Sequence, residues 1–212
     1  MNIFVTIKED TEYILTEKKS KFIANLVKIQ NQQEAEEAIK KYKKKYHDAR
    51  HNCIAYRVIE DGQIIEKSSD DGEPSGTAGA PMLNILQKNN LCNVLIVVTR
   101  YFGGILLGTG GLVRAYSDAL AGAIEEATKI TQTIGYIVEC SLEYNQFEKF
   151  QYYCKTNKIE ITNAEYLDNI VCKISLEESK KEKLLQDINE KNINIINYKI
   201  FNKTLVTVNK TI

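Results

Sequence analysis

Eight of the chain's eleven glycines, and both of its prolines, fall between Ser68 and Asp118. The stretch opens as SSDDGEPSGTAGAP, passes through the apolar run VLIVVT and continues as RYFGGILLGTGGLVRAYSD. Glycine serves where φ must be positive or where backbone must come close to something else. So many glycines on either side of one short, β-branched run predict a strand buried on both faces, with its flanking loops built as shaped backbone surface. This stretch sets the terms for the rest of the chain.

Around it the periodicities are those of an α+β protein. Tyr13–Thr16 and Phe22–Ile29 read as strands. Asn31 followed by Glu34 resembles a capping box. Ala35, Ile39, Tyr42 and Tyr46 then form one helical stripe, with Lys40, Lys41, Lys43, Lys44 and Lys45 on the other faces. Those lysines are either a solvated helix end or a patch for phosphates. Cys53–Ile59 and Gln63–Lys67 flank Glu60-Asp61-Gly62, a hairpin signal. Met82–Lys88 is long enough for two helical turns. A long helix beginning near Thr109 carries Leu112, Tyr116, Ala119, Leu120, Ala123 and Ile124 on one apolar face.

The pattern changes near Gln132–Gly135, which predicts domains over 1–132 and 136–212. The second half reads β (Tyr136–Leu142), α (Phe147–Cys154), β (Ile159–Tyr166), β (Ile170–Leu176), α (Glu177–Glu190), β (Ile193–Phe201), the order of a ferredoxin-like unit.

Composition narrows the function classes. With 28 basic and 28 acidic residues the net charge is zero, so a chain coated in positive charge is excluded, while a local basic face is not. No apolar run reaches the roughly 20 residues of a membrane span, and the N-terminus lacks a secretory pattern, so a cytoplasmic protein without a membrane partner is expected. The five cysteines form no C-x-x-C pair and read as small core residues.

The second glycine cluster follows the buried strand and opens a helix, so the N–H groups of Gly110, Gly111 and Leu112 are placed to meet an anion. Arg100 and Arg114 flank that loop and suit phosphate oxygens, and Tyr101 is either a base-stacking ring or core. Phe102 reads as core. Equally open is that the glycines only shape a tight crossover and the arginines pair with carboxylates. G-x-x-x-x-G from Gly103 to Gly108 lacks the following Lys-Ser/Thr, and Val113 breaks G-x-G-x-x-G, so neither nucleotide fingerprint is met and no cofactor is expected. Asp70, Asp71 and Glu73 allow turn chemistry, pairing with Arg100 or Arg114, or an oxygen shell for Mg²⁺. His47 and His51 have i, i+4 spacing but no H-E-x-x-H, and no metal site is assigned.

SKFIA (20–24), HNCIAYR (51–57), SDDGEPSGTAGAP (69–81) and VVTRYFGGILLGTGGLVRAYSDAL (97–120) resemble the IMPACT family, in its bacterial YigZ-like branch. The resemblance implies a first domain with the left-handed βαβ fold of a ribosomal protein domain and of elongation factor G domain IV. It implies a second domain like domain V of that factor. It further implies a regulator of translation whose partner is RNA, the ribosome or a translation-related protein. Carried over by motif, the residues concerned are Asp70, Asp71, Glu73, Gly76, Thr77, Arg100, Tyr101, Gly103, Gly104, Gly108, Gly110, Gly111 and Arg114. Relatives often have lysine where this chain has Ala80, which removes one phosphate contact. An enzyme acting on a phosphorylated small molecule, and a module binding protein alone, are the competing expectations.

Overall fold

The computed structural model describes residues 3–60 and 63–208, so the Asp61-Gly62 turn lies outside the described residues. Backbone contacts divide the chain into a compact unit over Phe4–Ile130 and a second built from Thr131 onward together with Ile3, the first residue of the first strand.

The first unit contains β1 (Ile3–Ile7), β2 (Thr11–Glu17), β3 (Ser20–Lys28), α1 (Gln32–Lys45), β4 (His51–Glu60), β5 (Gln63–Ser69), α2 (Gly79–Lys88), β6 (Val94–Tyr101) and α3 (Gly108–Glu126). Five strands form an antiparallel sheet in the order β2-β3-β6-β4-β5. Central β6 is buried on both faces, as its sequence predicts. Val94, Ile96 and Val98 pack in one cluster with Met82 and Leu86 of α2 and the apolar face of α3. Leu95 and Val97 pack in another with Ala35 and Tyr42 of α1.

Asn31 caps α1, its side chain accepting from the Glu34 N–H at 2.8 Å, while the Glu34 carboxylate reaches back to the N–H of Gln30. The hairpin register closes at Glu60↔Gln63. Helix α2 begins at Gly79, three residues before the expected Met82, because its first amides are capped from a distance by Asp70. Pro81 falls in its first turn, where a missing N–H costs nothing.

The second unit runs β7 (Lys129–Leu142), α4 (Tyr144–Thr156), β8 (Glu160–Tyr166), β9 (Ile170–Glu177), a 3₁₀ turn over Glu178–Lys180, α5 (Lys181–Asn189) and β10 (Asn197–Val208). The pairings β10–β7, β7–β9 and β9–β8 are all antiparallel. With two helices interposed in βαββαβ order, this is the ferredoxin-like arrangement. Val138, Cys140, Leu142, Cys172 and Ile174 pack with Phe147, Phe150 and Leu184 of the helices. Gly135, read as the mark of a boundary, lies inside β7. A Cβ there would come within 2.2 Å of the Leu176 carbonyl oxygen, so glycine is required by the close approach of β9.

Candidate functional site

The ends of β5 and β6 and the starts of β3 and β4 lie at one end of the first sheet. Lys21 pairs with Tyr101, His51 with Arg100 and Ile54 with Ser69. The acidic loop that follows β5 and the glycine loop that follows β6 therefore share this end, and both lead into helices.

The acidic loop closes on itself. One oxygen of Asp70 accepts from the N–H groups of Ala78 and Gly79 at 2.9 and 2.8 Å, and the other from Gly76 at 2.8 Å. Partial burial pushes the Asp70 pKa up, but these backbone bonds outweigh it, and the net pKa is below the usual aspartate value. Asp71, held at φ 42°, accepts from the Asn52 N–H at 2.7 Å and pairs with Lys43 at 2.6 Å. His51 Nδ1 lies 3.0 Å from the Asp71 carbonyl, an oxygen that only accepts, so that nitrogen carries the proton. The Thr77 hydroxyl donates to the Pro74 carbonyl at 2.6 Å. His51 is the first residue of a strand and not a helical partner of His47. Among the described residues no group of three or more His, Cys, Asp or Glu is arranged to hold a metal ion.

Beneath the loops lies a buried polar chain. Arg100 donates to Glu73 Oε1 at 2.7 Å, and the Tyr116 hydroxyl donates to the same oxygen at 2.8 Å. The Cys53 thiol sits 2.9 Å from the Asp70 carbonyl and 3.3 Å from the Tyr116 hydroxyl, two acceptors for one proton. Burial pushes this thiol up to about 12 and the Tyr116 phenol far above its ordinary range, so neither is a ready nucleophile or base.

Arg100 thus differs from the expectation of a guanidinium at the rim of the glycine loop. It is 8% exposed, and its charge is met by Glu73 because a buried cation left unpaired is costly. Its guanidinium carbon lies 5.6 Å from the Phe22 ring centroid and 5.7 Å from that of Phe102. Strand alternation separates it from its neighbour. Arg100 lies on the α2/α3 face. Tyr101, on the other, donates to Asp48 at 2.7 Å, and that bond pushes its pKa up to about 12. These sequence neighbours do not form one patch.

The glycine loop is open instead. Gly103 presses on the β2–β3 turn, where a Cβ would meet the Lys19 carbonyl carbon at 2.0 Å, and its N–H donates to Ser20 Oγ at 3.2 Å. Gly104 and Gly108 take positive φ, 84° and 72°. No residue caps α3 with its side chain from the N-cap position, Leu107, and Gly108, Thr109 and Gly110 at its start are exposed. Arg114, one turn further, is exposed too and forms no ion pair with another described residue. The residues missed from sequence are apolar. Phe102, expected in the core, is 57% exposed, Ile105 42% and Leu106 83%. The available signal was the run ILL between Gly104 and Gly108, too short to bury more than its last residue, Leu107.

Of the five lysines at the end of α1, Lys43 pairs with Asp71 and Lys45 with Glu12 at 3.4 Å, so two of these charges are already engaged. All five cysteines are buried and free. No described helix is long and apolar enough to cross a membrane.

Residues 18–124 match the Impact N-terminal domain family, and residues 140–191 match a domain of unknown function, DUF1949. The chain is 38% identical over 180 residues to the IMPACT family member YvyE of Bacillus subtilis, covering 85% of this chain and 82% of that protein. It is 35% identical over 167 residues to YigZ of Escherichia coli, covering 77% and 80%. A crystal structure described only as that of a hypothetical protein matches over the whole of both chains, at 28% identity and a TM-score of 0.61.

Proposed function

Since the chain belongs to the IMPACT family, we propose that it is a translation-associated regulatory protein that docks on RNA, the ribosome or a ribosome-bound partner. The docking element in this reading is the segment Phe102–Arg114. One observation carries it. Leu106, 83% exposed, stands beside an exposed helix start and an arginine without a carboxylate partner among the described residues. The helix end and Arg114 favour negative charge, Lys18 and Lys19 in the adjoining turn add to it, and the apolar tip supplies area to bury. The anion-binding residues in this reading are Gly108, Gly110, Gly111 and Arg114, with Arg100 supporting the loop from below.

The competing enzyme reading needs free carboxylates. Asp70, Asp71 and Glu73 are instead engaged by backbone amides, Lys43, Arg100 and Tyr116. A magnesium-dependent thermal stabilisation by a nucleotide would restore it.

The test is sedimentation of the full chain with ribosomal fractions, with and without nuclease. Leu106→Asp and Arg114→Ala should each release it, and Arg114→Ala should also shallow the salt dependence. Unchanged sedimentation of both variants at every salt concentration would overturn the proposal. Survival of binding after nuclease assigns a protein partner, which the apolar tip favours.

A further inference from the structure

The second unit carries a groove to which nothing above assigns a role. It lies along β10 and is lined by Ile137, Lys173, Lys199, Ile200, Phe201, Asn202, Lys203 and Thr204, with a volume of about 640 Å³. That is within the range of small-ligand sites. Every charged residue of the lining is a lysine.

Two features of the backbone shape it. Odd-numbered positions of β7 and β9 lie opposite the face packed on α4 and α5, so Ile137 and Lys173 face away from the helices. Lys199 pairs in register with Glu139 and joins them. The register of β10 then slips between Ile200 and Lys203, leaving Phe201 and Asn202 outside the ladder with β7. A bulge of this kind re-aims side chains and frees backbone groups. Here it sets an aromatic ring, 37% exposed, beside the Lys199 ammonium, while Lys203, in register with Tyr136, falls on the helix-packed side of the strand.

Lys173 has Glu139 at 3.6 Å, and Lys203 pairs with Glu178. Lys199 forms no ion pair with another described residue, and its ammonium lies 5.0 Å from the Phe201 ring centroid. Lysines on an edge strand also discourage edge-to-edge pairing, but that role requires neither a concavity nor an exposed ring.

We propose that this groove binds single-stranded nucleic acid, one base stacking on Phe201 and the flanking phosphates meeting Lys199 and Lys173. Asn202 and Thr204, both exposed, supply hydrogen-bonding groups in its lining. A single strand fits better than a duplex, because only an unpaired base presents its face to a ring. The site is on the other unit from the Phe102–Arg114 segment, and the two proposals stand or fall separately.

The chain has no tryptophan, so Phe201→Trp in the full-length protein provides a single reporter at the groove. Oligouridylate and oligothymidylate should quench its fluorescence, and polyglutamate, an anion without bases, should not. Phe201→Ala should weaken oligonucleotide binding at least about fivefold, with Phe201→Trp restoring it. Lys199→Ala should reduce the salt slope by about 0.7. Thermal unfolding midpoints of the variants separate loss of binding from loss of fold. The proposal is overturned if polyglutamate competes as well as the oligonucleotides. It is equally overturned if Phe201→Ala and Lys199→Ala, both folded, bind as the parent does. Leu106→Asp should leave the quenching intact.

Discussion

The two loops at the end of the first sheet look alike in sequence and behave oppositely in the structure. Residues 70–79 turn their amides inward onto one carboxylate, so Gly76, Ala78 and Gly79 all donate to Asp70. Residues 102–111 turn outward, with three large apolar side chains and a helix start exposed. The difference lies in one residue type at one place. The first loop contains its own acceptor anion, and the second contains none. Glycine density therefore marks shaped backbone in both, while the presence of an internal carboxylate decides whether that backbone is structural or free to meet a partner.

The comparison breaks most readily at the buried ion pair under both loops. Arg100→Ala, which leaves the buried Glu73 carboxylate without its cation, should destabilise the first unit by about 3–5 kcal/mol, as measured by denaturant unfolding. A loss below about 1 kcal/mol would mean the pair is solvated and Arg100 available to a ligand. Next comes Asp70→Asn, expected to cost about 2–3 kcal/mol at neutral pH through the three backbone bonds. Because the folded Asp70 pKa is lowered, its contribution is present above the unfolded value near 3.9 and lost as pH falls through the folded value. The gap between parent and variant should thus narrow below about pH 4, and a gap constant with pH would remove Asp70 as the anchor.

Smaller effects sharpen the contrast within the open loop. Gly103→Ala should cost about 2 kcal/mol, since its Cβ would overlap the Lys19 carbonyl. Gly110→Ala has open space around the new methyl and should be neutral or gain up to about 1 kcal/mol from helix propensity. Equal costs at the two positions would show that the loop is supported along its whole length. Smallest of all, Arg114→Ala should leave the unfolding free energy within about 0.5 kcal/mol of the parent, because the side chain is exposed and forms no ion pair with another described residue. Its effect belongs to binding alone.

Much of this was legible in sequence because it depends on neighbours. The Asn31–Glu34 cap, the stripe of α1, both faces of β6 and the βαββαβ order of the second unit follow from spacings of two, three and four residues. The start of α2 was not legible, because its cap is Asp70, nine residues before Gly79 and outside any local signature. Nor was the exposure of Phe102, which a strand-end aromatic does not announce.

From the sequence alone came two α+β units, a doubly buried central strand and the clustering of special backbone on either side of it, since periodicity and glycine placement are local properties of a chain. The tertiary structure decided which charges are free. Whether a guanidinium faces water or a carboxylate depends on what the fold carries to it across 27 residues, as Glu73 is carried to Arg100, and no local spacing encodes that meeting.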